Sequence, residues 1–312
     1  MLNHLEIMKR KIIIVLGPTG SGKSKIAITL AKRFNGFLIS ADSRQIYKKM
    51  DIGTNKDNGE YRQGKYFVGK VEECLVNLIN PDEQYSLENW LKDARKIITE
   101  HPKQLPVIVG GTGLYISALV NNFELPGNFD KKLRTKLEKQ AAEKGLAYLI
   151  KKMKELDPGI EHKIDLNNPR RVVRAMEILL QTKKPLNRSA GEIEYEFLQL
   201  GLKLTREELY EKINQRADQM ITYGLIEEVK KLVNEGYDCR LPAMTGIGYR
   251  QVCQFLNKEI TGQQAIELIK RDTRRYAKRQ MTWFKRDKRI VWIEKPEEAK
   301  ALVNQFLIDD KV

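Results

Sequence analysis

The sequence predicts an α/β fold in which a parallel sheet flanked by helices is interrupted by an inserted all-helical subdomain. Between residues 11 and 120, short apolar runs alternate with amphipathic helical stretches, as is typical of parallel sheets. A glycine-rich segment separates the first apolar run from the first helical stretch. A long charged stretch without strand-like runs follows later in the chain and predicts the insertion.

Individual elements follow from local composition. Apolar runs predict strands at 12–16, 37–40, 107–109, 197–202 and 291–293. Helical stretches are predicted after the glycine-rich segment as far as Arg33, after Ser86 as N-cap, and over 206–285 with a break around 236–248.

The inserted stretch sets the expected domain boundaries. It is charged and helical, and prolines interrupt it at 158, 169 and 185. We expect a core formed by 1–122 and 201–312 and an inserted helical domain, a lid or swivel, at 123–200.

The first strand leads directly into a glycine-rich motif with the spacing G-x-x-x-x-G-K-[ST]. Its residues are Gly17-Pro18-Thr19-Gly20-Ser21-Gly22-Lys23-Ser24. Glycines let backbone N–H groups curl around an anion, and the N-terminus of the following helix adds its positive dipole end. Lys23 supplies a charge for the terminal phosphates, and the Ser24 hydroxyl can bind Mg²⁺. The motif predicts a P-loop NTPase-like core that binds a phosphorylated ligand.

The charge balance points to a polyanionic partner. The chain has 56 Lys and Arg against 41 Asp and Glu, a net charge of +15. Segment 271–289 holds nine basic and two acidic residues, with Tyr276, Trp283 and Phe284 among them. Basic residues that flank an aromatic stripe suit an RNA backbone, with the aromatic side chains serving as core anchors or as stacking platforms for bases.

Other features bear on the compartment. The three cysteines, Cys74, Cys239 and Cys253, form neither a C-x-x-C pattern nor an evident disulfide framework, so we expect no disulfide and a reducing compartment. No apolar run reaches the roughly 18 residues that a membrane span requires. The N-terminus has no apolar signal-peptide core. We expect a cytoplasmic monomer without a membrane partner.

Two strand ends carry candidate chemical groups. Asp42 follows the second strand, where a carboxylate can bind Mg²⁺ through water, act as a general base, or simply cap a helix. Ser43, Arg44 and Gln45 follow it and suit the edge of a nucleic-acid base. The third strand ends in Gly110-Gly111-Thr112-Gly113 without an acid, which argues against a motor or switch ATPase. Such a turn suits a transferase with the Thr112 hydroxyl near the reacting groups.

Arginines of the insert are candidate phosphate ligands. Arg134, Arg170, Arg171 and Arg174 lie within it, and the last two share a helix face. Arginine forks suit the oxygens of a leaving diphosphate or of a nucleic-acid backbone, although a solvated helix face would have the same composition.

Taken together, these segments resemble the tRNA dimethylallyltransferases, also called tRNA isopentenyltransferases, of the bacterial type. The matching motifs, in order, are Gly17–Ser24, Ile39–Tyr47 with Met50–Thr54, Val109–Tyr115, Asn168–Val172, Ile247–Gln251 and Ala277–Trp283. They cover almost the whole chain, and as an ordered set they are far more specific than a phosphate loop alone.

The resemblance implies transfer of a dimethylallyl group from its diphosphate to N6 of adenosine 37 in tRNAs that read codons beginning with U. Lys23, Ser24, Mg²⁺ and Arg134 would neutralise the leaving diphosphate. Asp42 would accept a proton from the amine, and Thr112 would help to hold it. The target base would be flipped out of the anticodon stem-loop. The residues implied to contact tRNA are Asp42, Ser43, Arg44, Gln45, Pro169, Arg170, Arg171, Val172, Val173, Met244, Thr245, Gly246, Ile247, Gly248, Tyr249, Arg279 and Gln280.

Two other hypotheses fit parts of the sequence. A P-loop small-molecule kinase with an arginine-bearing lid would share the fold, but it would not need the basic C-terminal helix. A nucleotide-gated RNA-binding module would tolerate loss of Asp42, whereas the transferase would not.

Overall fold

A computed structural model describes residues 9–123, 130–186, 191–192 and 194–309. The chain divides into two compact units. The smaller unit is Asn121–Glu192, and the larger one comprises the chain on either side of it. The larger unit contains an eight-stranded sheet with its helices, and the smaller one contains helices α4, α5 and α6.

Strands and helices alternate in the order expected of an α/β chain. The strands are β1 Arg10–Leu16, β2 Gly36–Ala41, β3 Glu60–Arg62, β4 Lys65–Val68, β5 Val71–Cys74, β6 Leu105–Gly110, β7 Tyr195–Leu202 and β8 Ile290–Ile293. The helices are α1 Lys23–Arg33, α2 Leu87–Glu100, α3 Gly113–Val120, α4 Lys131–Lys144, α5 Leu146–Leu156, α6 Pro169–Thr182, α7 Arg206–Thr222, α8 Leu225–Asn234, α9 Tyr249–Leu256, α10 Gly262–Phe284 and α11 Pro296–Ile308. Short 3₁₀ turns lie at Ile160–His162 and Ala243–Thr245.

The sheet is mainly parallel. Its strand order is β3-β4-β5-β2-β6-β1-β7-β8, and every pair from β5 to β8 is parallel. Only β3–β4 and β4–β5 are antiparallel. The predicted α/β fold class is therefore confirmed, and the five predicted strands correspond to β1, β2, β6, β7 and β8.

Three strands were absent from the sequence-based prediction. Strands β3, β4 and β5 are short and rich in Lys, Glu and Tyr, so they lack the apolar runs that marked the other five. Gln63 and Gly64 both have positive φ between β3 and β4, as in the two-residue turns that suit hairpins.

The smaller unit begins and ends earlier than the range 123–200 that we expected for the insert. Strand β7 starts at Tyr195 and pairs along its length with β1, so this part of that range belongs to the sheet.

Alternating side chains of the central strands fill two layers. Ile13 and Val15 of β1 pack with Leu30 of α1 and Val303 of α11 on one face of the sheet. On the other face, the indole Nε1 of Trp90 in α2 donates to the backbone oxygen of Ser40 in β2 at 2.8 Å. The Trp90 ring also stacks on Tyr115 of α3, with 4.9 Å between the ring centroids.

A separate helical layer forms a second core in the larger unit. Ile46 and Met50, from the loop after β2, pack against Val229 of α8 and Val252 of α9. Burial of these apolar side chains attaches α8 and α9 to the loop that begins at Asp42.

Cys239 and Cys253 are joined by a disulfide, with their Cα atoms 6.0 Å apart. Our expectation that no disulfide forms is therefore wrong. The chain between the two cysteines folds back so that Cys239 lies beside α9, a tertiary contact that the spacing of 14 residues did not reveal. Cysteine usage consequently gives no support to a reducing compartment.

In the helical unit, Leu149, Met153, Val172 and Met176 form the core of α5 and α6. Within the described part of the chain, no helix of either unit is long and apolar enough to cross a membrane.

We expect Trp90→Phe to destabilise the larger unit by about 2–3 kcal/mol, because it leaves the buried Ser40 oxygen unpaired and opens a cavity. Urea denaturation followed by circular dichroism measures the effect. Trp292→Phe, on the partly exposed edge strand β8, is the control and should cost clearly less. Equal losses in both variants would contradict the role assigned to the Trp90 hydrogen bond.

Candidate active site

The phosphate loop has the backbone that its glycines predict. Gly20 and Gly22 have φ values of +82° and +87°, in the left-handed region that favours glycine. A side chain at Gly20 would also press on Ile213 of α7, whose Cγ1 lies 3.0 Å from the position of a Cβ. Helix α1 begins at Lys23, so its free N–H groups and Lys23 face the space above the loop.

A cavity of about 300 Å³ lies over this loop. Lys23 and Ser24 line it, as predicted, together with Asp42 at the end of β2. Burial lowers the pKa of Lys23 to about 8, while the carboxylate of Asp42 acts in the opposite direction. A bound polyanion would favour the charged ammonium, so the site suits a phosphate chain.

Arg216 of α7, a residue not predicted from the sequence, also lines this cavity. Its Nη1 donates to the hydroxyl of Thr19 at 3.1 Å, while its buried Nε has no hydrogen-bond partner in the described part of the chain. Burial lowers the pKa of Arg216 to about 10, opposed by the carboxylates of Asp42 and Asp57. The unpaired Nε fits an anion in the cavity.

Two further acids of the cavity, Asp57 and Glu73, were not predicted either. Burial raises the pKa of Asp57, whereas the Ser24 hydroxyl and the Lys23 ammonium act to lower it. Burial likewise raises the pKa of Glu73 to about 8; the charge of Asp57 adds to the effect and Lys56 opposes it. Glu73 lies on β5, one of the strands that local composition did not reveal.

The residues present fit a Mg²⁺ ion. The Ser24 hydroxyl and the Asp57 carboxyl group line one cavity and interact with each other, which provides the hard oxygen ligands that Mg²⁺ prefers. Among the described residues there is no group of three or more His, Cys, Asp or Glu that could hold a metal ion. An ion here would therefore take its remaining ligands from water and from bound phosphate.

Asp42 and Thr112 are brought together at the ends of neighbouring strands. The Thr112 N–H donates to the Ala41 oxygen at 3.1 Å, and its hydroxyl accepts from the Ser43 N–H at 3.2 Å. Asp42 Oδ1 accepts from the Arg44 N–H at 2.8 Å, which fixes the carboxyl group in a tight turn. The helix-cap alternative does not apply to Asp42, because no helix starts in this loop.

Arg44 and Gln45 are used largely within the protein. Arg44 Nη1 donates to the Pro242 oxygen at 2.6 Å. Gln45 Nε2 donates to the Asn55 oxygen at 3.0 Å, and Gln45 Oε1 accepts from the Ser40 hydroxyl at 3.0 Å. The Gln45 amide therefore organises the loop, and its contact with a base edge stays a prediction.

A second, larger cavity of about 640 Å³ adjoins the first. Thr19, Asp42, Thr54 and Arg216 line both cavities. The larger cavity is strongly basic, and its arginines are Arg44, Arg216, Arg250, Arg271, Arg275 and Arg279. A carboxylate thus stands between a phosphate site and an arginine-lined opening.

The structure separates the predicted RNA contacts into two groups. Several residues are partly or fully exposed: Asp42, Ser43, Arg44, Gln45, Pro169, Arg170, Arg171, Thr245, Ile247 and Arg279. Others are buried: Val172, Val173, Met244, Gly246, Gly248, Tyr249 and Gln280. The two glycines have no side chain, and Gly246 lines the larger cavity. Contact of these buried residues with RNA stays a prediction.

Tyr249 is one of the buried residues, and its contacts lie within the protein. Its ring covers Gly53 so closely that a side chain there would overlap it. Its hydroxyl donates to Glu228 Oε1 at 2.6 Å. Tyr249 therefore holds the loop after Asp42 instead of facing solvent.

Arg134 lies in the helical unit. Its Nη2 donates to Glu177 Oε2 at 2.6 Å, and Arg174 is within 2.9 Å of the same oxygen. Burial would raise the pKa of Glu177, but these arginines and the Asp130 N–H lower it below its ordinary value. A catalytic role for Arg134 stays a prediction.

We expect Glu73→Gln to stabilise the protein more at pH 8 than at pH 5, by about 2–4 kcal/mol. In the folded state Glu73 keeps its proton up to a pKa of about 8, whereas in the unfolded state it ionises near its ordinary value. The wild type therefore loses stability as pH rises between those two values, and the amide does not.

Urea denaturation at the two pH values measures this difference. Glu60→Gln, at an exposed position on β3, is the matched control and should show no such pH dependence. A gain for Glu73→Gln that is equal at both pH values would contradict the pKa of Glu73.

Sequence comparisons identify relatives over nearly the whole chain. A family profile described as IPP transferase matches residues 45–287. The tRNA dimethylallyltransferase of Acetivibrio thermocellus is 45% identical over 294 residues, covering 92% of each chain. That of Carboxydothermus hydrogenoformans is 42% identical, covering 97% of this chain and 98% of the relative.

Solved structures agree with these relatives. A tRNA isopentenylpyrophosphate transferase from Bacillus halodurans has a TM-score of 0.68 at 35% identity, covering 96% of this chain and 95% of that one. A eukaryotic dimethylallyltransferase acting on tRNA has a TM-score of 0.79 at 26% identity, covering 96% and 79%. The family predicted from the ordered motifs is confirmed: the chain belongs to the IPP transferase family, whose members named here are tRNA dimethylallyltransferases.

Proposed function

We propose that this enzyme transfers the dimethylallyl group of dimethylallyl diphosphate to N6 of adenosine 37 in tRNAs that read codons beginning with U. The observation that carries the proposal is the junction of the two cavities at Asp42. One cavity suits a diphosphate, the other is lined with arginines that suit RNA, and a carboxylate stands where they meet. The names of the relatives support the same reaction.

The diphosphate end of the donor binds over the phosphate loop in this proposal. Lys23 and Arg216 neutralise the charge that develops on the leaving diphosphate as the bond from carbon to oxygen breaks. Mg²⁺, held by Ser24 and Asp57, would supply further positive charge at those oxygens. The N-terminus of α1 contributes its dipole at the same place.

Asp42 accepts the proton. As the N6 nitrogen bonds to the allylic carbon, the nitrogen becomes positively charged, and its proton passes to the Asp42 carboxylate. The bond from the Arg44 N–H leaves Asp42 Oδ2 for this proton. Thr112, whose hydroxyl accepts from the Ser43 N–H, positions the turn and has its own proton to donate towards the reacting groups.

The target base enters through the arginine-lined cavity. A base stacked in the anticodon loop cannot reach Asp42, so it must be flipped out of the stack. Arg271, Arg275 and Arg279 of α10 are suited to bind backbone phosphates around it. The helical unit has further proposed contacts with the substrates. These are the exposed residues Pro169, Arg170 and Arg171 at the start of α6, and Arg134 of α4. As a tRNA-modifying enzyme, the protein would act in the cytoplasm.

The kinase alternative is not supported. The relatives are named as dimethylallyltransferases, and the turn after β6 offers glycines and Thr112 in place of a metal-binding acid. The same relatives disfavour a module that only binds RNA.

Incubation of this protein with unmodified tRNA, dimethylallyl diphosphate and Mg²⁺ should add one five-carbon group to an adenosine beside the anticodon. Mass spectrometry of the digested tRNA detects it. A tRNA whose adenosine 37 is replaced by guanosine is the control and should stay unmodified. Phosphorylation of a small molecule by ATP, without any prenylated nucleoside, would contradict the proposal.

Asp42→Asn should lower kcat by about 10²–10⁴-fold, because the amide cannot accept the proton. The amide oxygen can still accept from the Arg44 N–H, so the loop and the dissociation constant for tRNA should change little. Single-turnover prenylation and filter binding measure the two quantities. An unchanged kcat would show that Asp42 is not the base.

A further inference from the structure

Gln280 connects the basic helix α10 to both glycine-rich turns of the active site. Its side chain is only 6% exposed. Oε1 accepts from the backbone N–H of Thr19 in the phosphate loop at 2.9 Å, and Nε2 donates to the backbone oxygen of Gly111, after β6, at 2.8 Å. The reverse orientation of the amide would set donor against donor and acceptor against acceptor, so these two bonds fix it.

Close packing makes this connection tight. A Cβ at Gly111 would collide with Gln280 Nε2, and one at Gly113 would collide with the indole of Trp283, one turn further along α10. The Trp283 Nε1 also donates to the Ser117 hydroxyl at 3.2 Å. Two successive turns of α10 therefore lie directly on the segment that carries Thr112.

Thr19 is the residue of the phosphate loop that helices α7 and α10 hold in place. Its N–H is held by Gln280 of α10, and its hydroxyl is held by Arg216 of α7. Most N–H groups of such a loop are left for the anion, whereas this one is committed to a neighbouring helix. A shift of α10 would consequently move Thr19 and, through it, the shape of the anion site.

The exposed side of α10 next to these contacts is basic. Lys278, Arg279, Thr282, Trp283 and Arg286 line a shallow groove of about 210 Å³ on it. RNA bound to this side of α10 would therefore lie less than one turn from Gln280, the residue that holds the phosphate loop at Thr19.

We propose that Gln280 is a positioning residue that couples tRNA binding on α10 to donor binding in the phosphate loop. This inference rests on the proposed function, because it takes RNA and a prenyl diphosphate as the two ligands. It differs from the role that the motif implied for Gln280, which was direct contact with tRNA. By linkage, RNA tightens donor binding by the same factor by which the donor tightens RNA binding.

The test compares wild type with Gln280→Leu, which has similar size but lacks both hydrogen bonds. Calorimetry gives the dissociation constant of inorganic diphosphate with Mg²⁺, in the absence and in the presence of an anticodon stem-loop RNA. In the wild type, RNA should tighten diphosphate binding several-fold. In Gln280→Leu, this factor should fall to about one. Diphosphate binding by Gln280→Leu in the presence of RNA should be about tenfold weaker than that of the wild type, as expected for lost buried hydrogen bonds. The affinity for RNA alone should stay within about twofold, and in steady-state assays KM for the donor should rise more than kcat falls.

Two further variants complete the experiment. Gln263→Leu, at an exposed position of α10, is the matched control and should behave as wild type. Gln280→Glu keeps the acceptor for the Thr19 N–H and loses the donor to Gly111, so it should retain part of the coupling; it also provides the test if Gln280→Leu does not fold.

Three results would overturn the inference. One is a coupling factor in the Gln280 variants equal to that of the wild type. Another is a wild type without any coupling. The third is a loss of RNA affinity in the absence of diphosphate, which would make Gln280 a direct RNA contact. A wild type that binds neither diphosphate nor RNA would instead refute the proposed function itself.

Discussion

The register of three central strands at Gly110 is the constraint on which the site depends. Gly110 of β6 lies opposite Leu16 of β1 on one side and opposite Ala41 of β2 on the other. The phosphate loop, Asp42 and the turn with Thr112 therefore all begin at the same level of the sheet. A side chain at Gly110 would overlap the Ala41 backbone, so the absence of a Cβ lets the end of β2 approach β6. A shift of one strand by a residue would separate Asp42 from the phosphate loop.

The charges that line the cavity over the phosphate loop explain two properties of it. The cavity is stable when empty, and it favours the binding of an anion. Lys23 and Arg216 are partly neutralised by the carboxylates of Asp42 and Asp57, which keeps buried charge near balance. The proposed diphosphate would bring several negative charges into a region of low dielectric, where fixed cations act strongly. Because burial raises the pKa of Glu73 to about 8, its carboxyl group adds little negative charge beside that ligand at neutral pH.

The sequence predicted the parts of the fold and site that depend on local pattern. Apolar runs marked β1, β2 and β6, and the glycine spacing marked the phosphate loop. The remaining parts depend on contacts between distant segments. Arg216 reaches Thr19 across 197 positions of sequence, and Gln280 reaches Gly111 across 169. No local pattern on α7 or α10 distinguishes an arginine or glutamine that turns inward from its solvated neighbours. The pairing of Cys239 with Cys253 could not be predicted for the same reason, because it too depends on a tertiary contact.

Glu228 shows how such distant contacts shape the reaction centre. From α8, its carboxylate accepts bonds from the N–H groups of Asp51, Ile52 and Gly53 at 2.9, 2.8 and 3.2 Å. The Tyr249 hydroxyl donates to it as well. A carboxylate held by four donors has little freedom, because any movement would leave a donor or the charge itself unpaired. The segment 51–53 that Glu228 holds lies between Asp42 and Asp57 in the sequence. Helices α8 and α9 thus hold the middle of the segment that connects the two acids, in addition to the strand register that places Asp42.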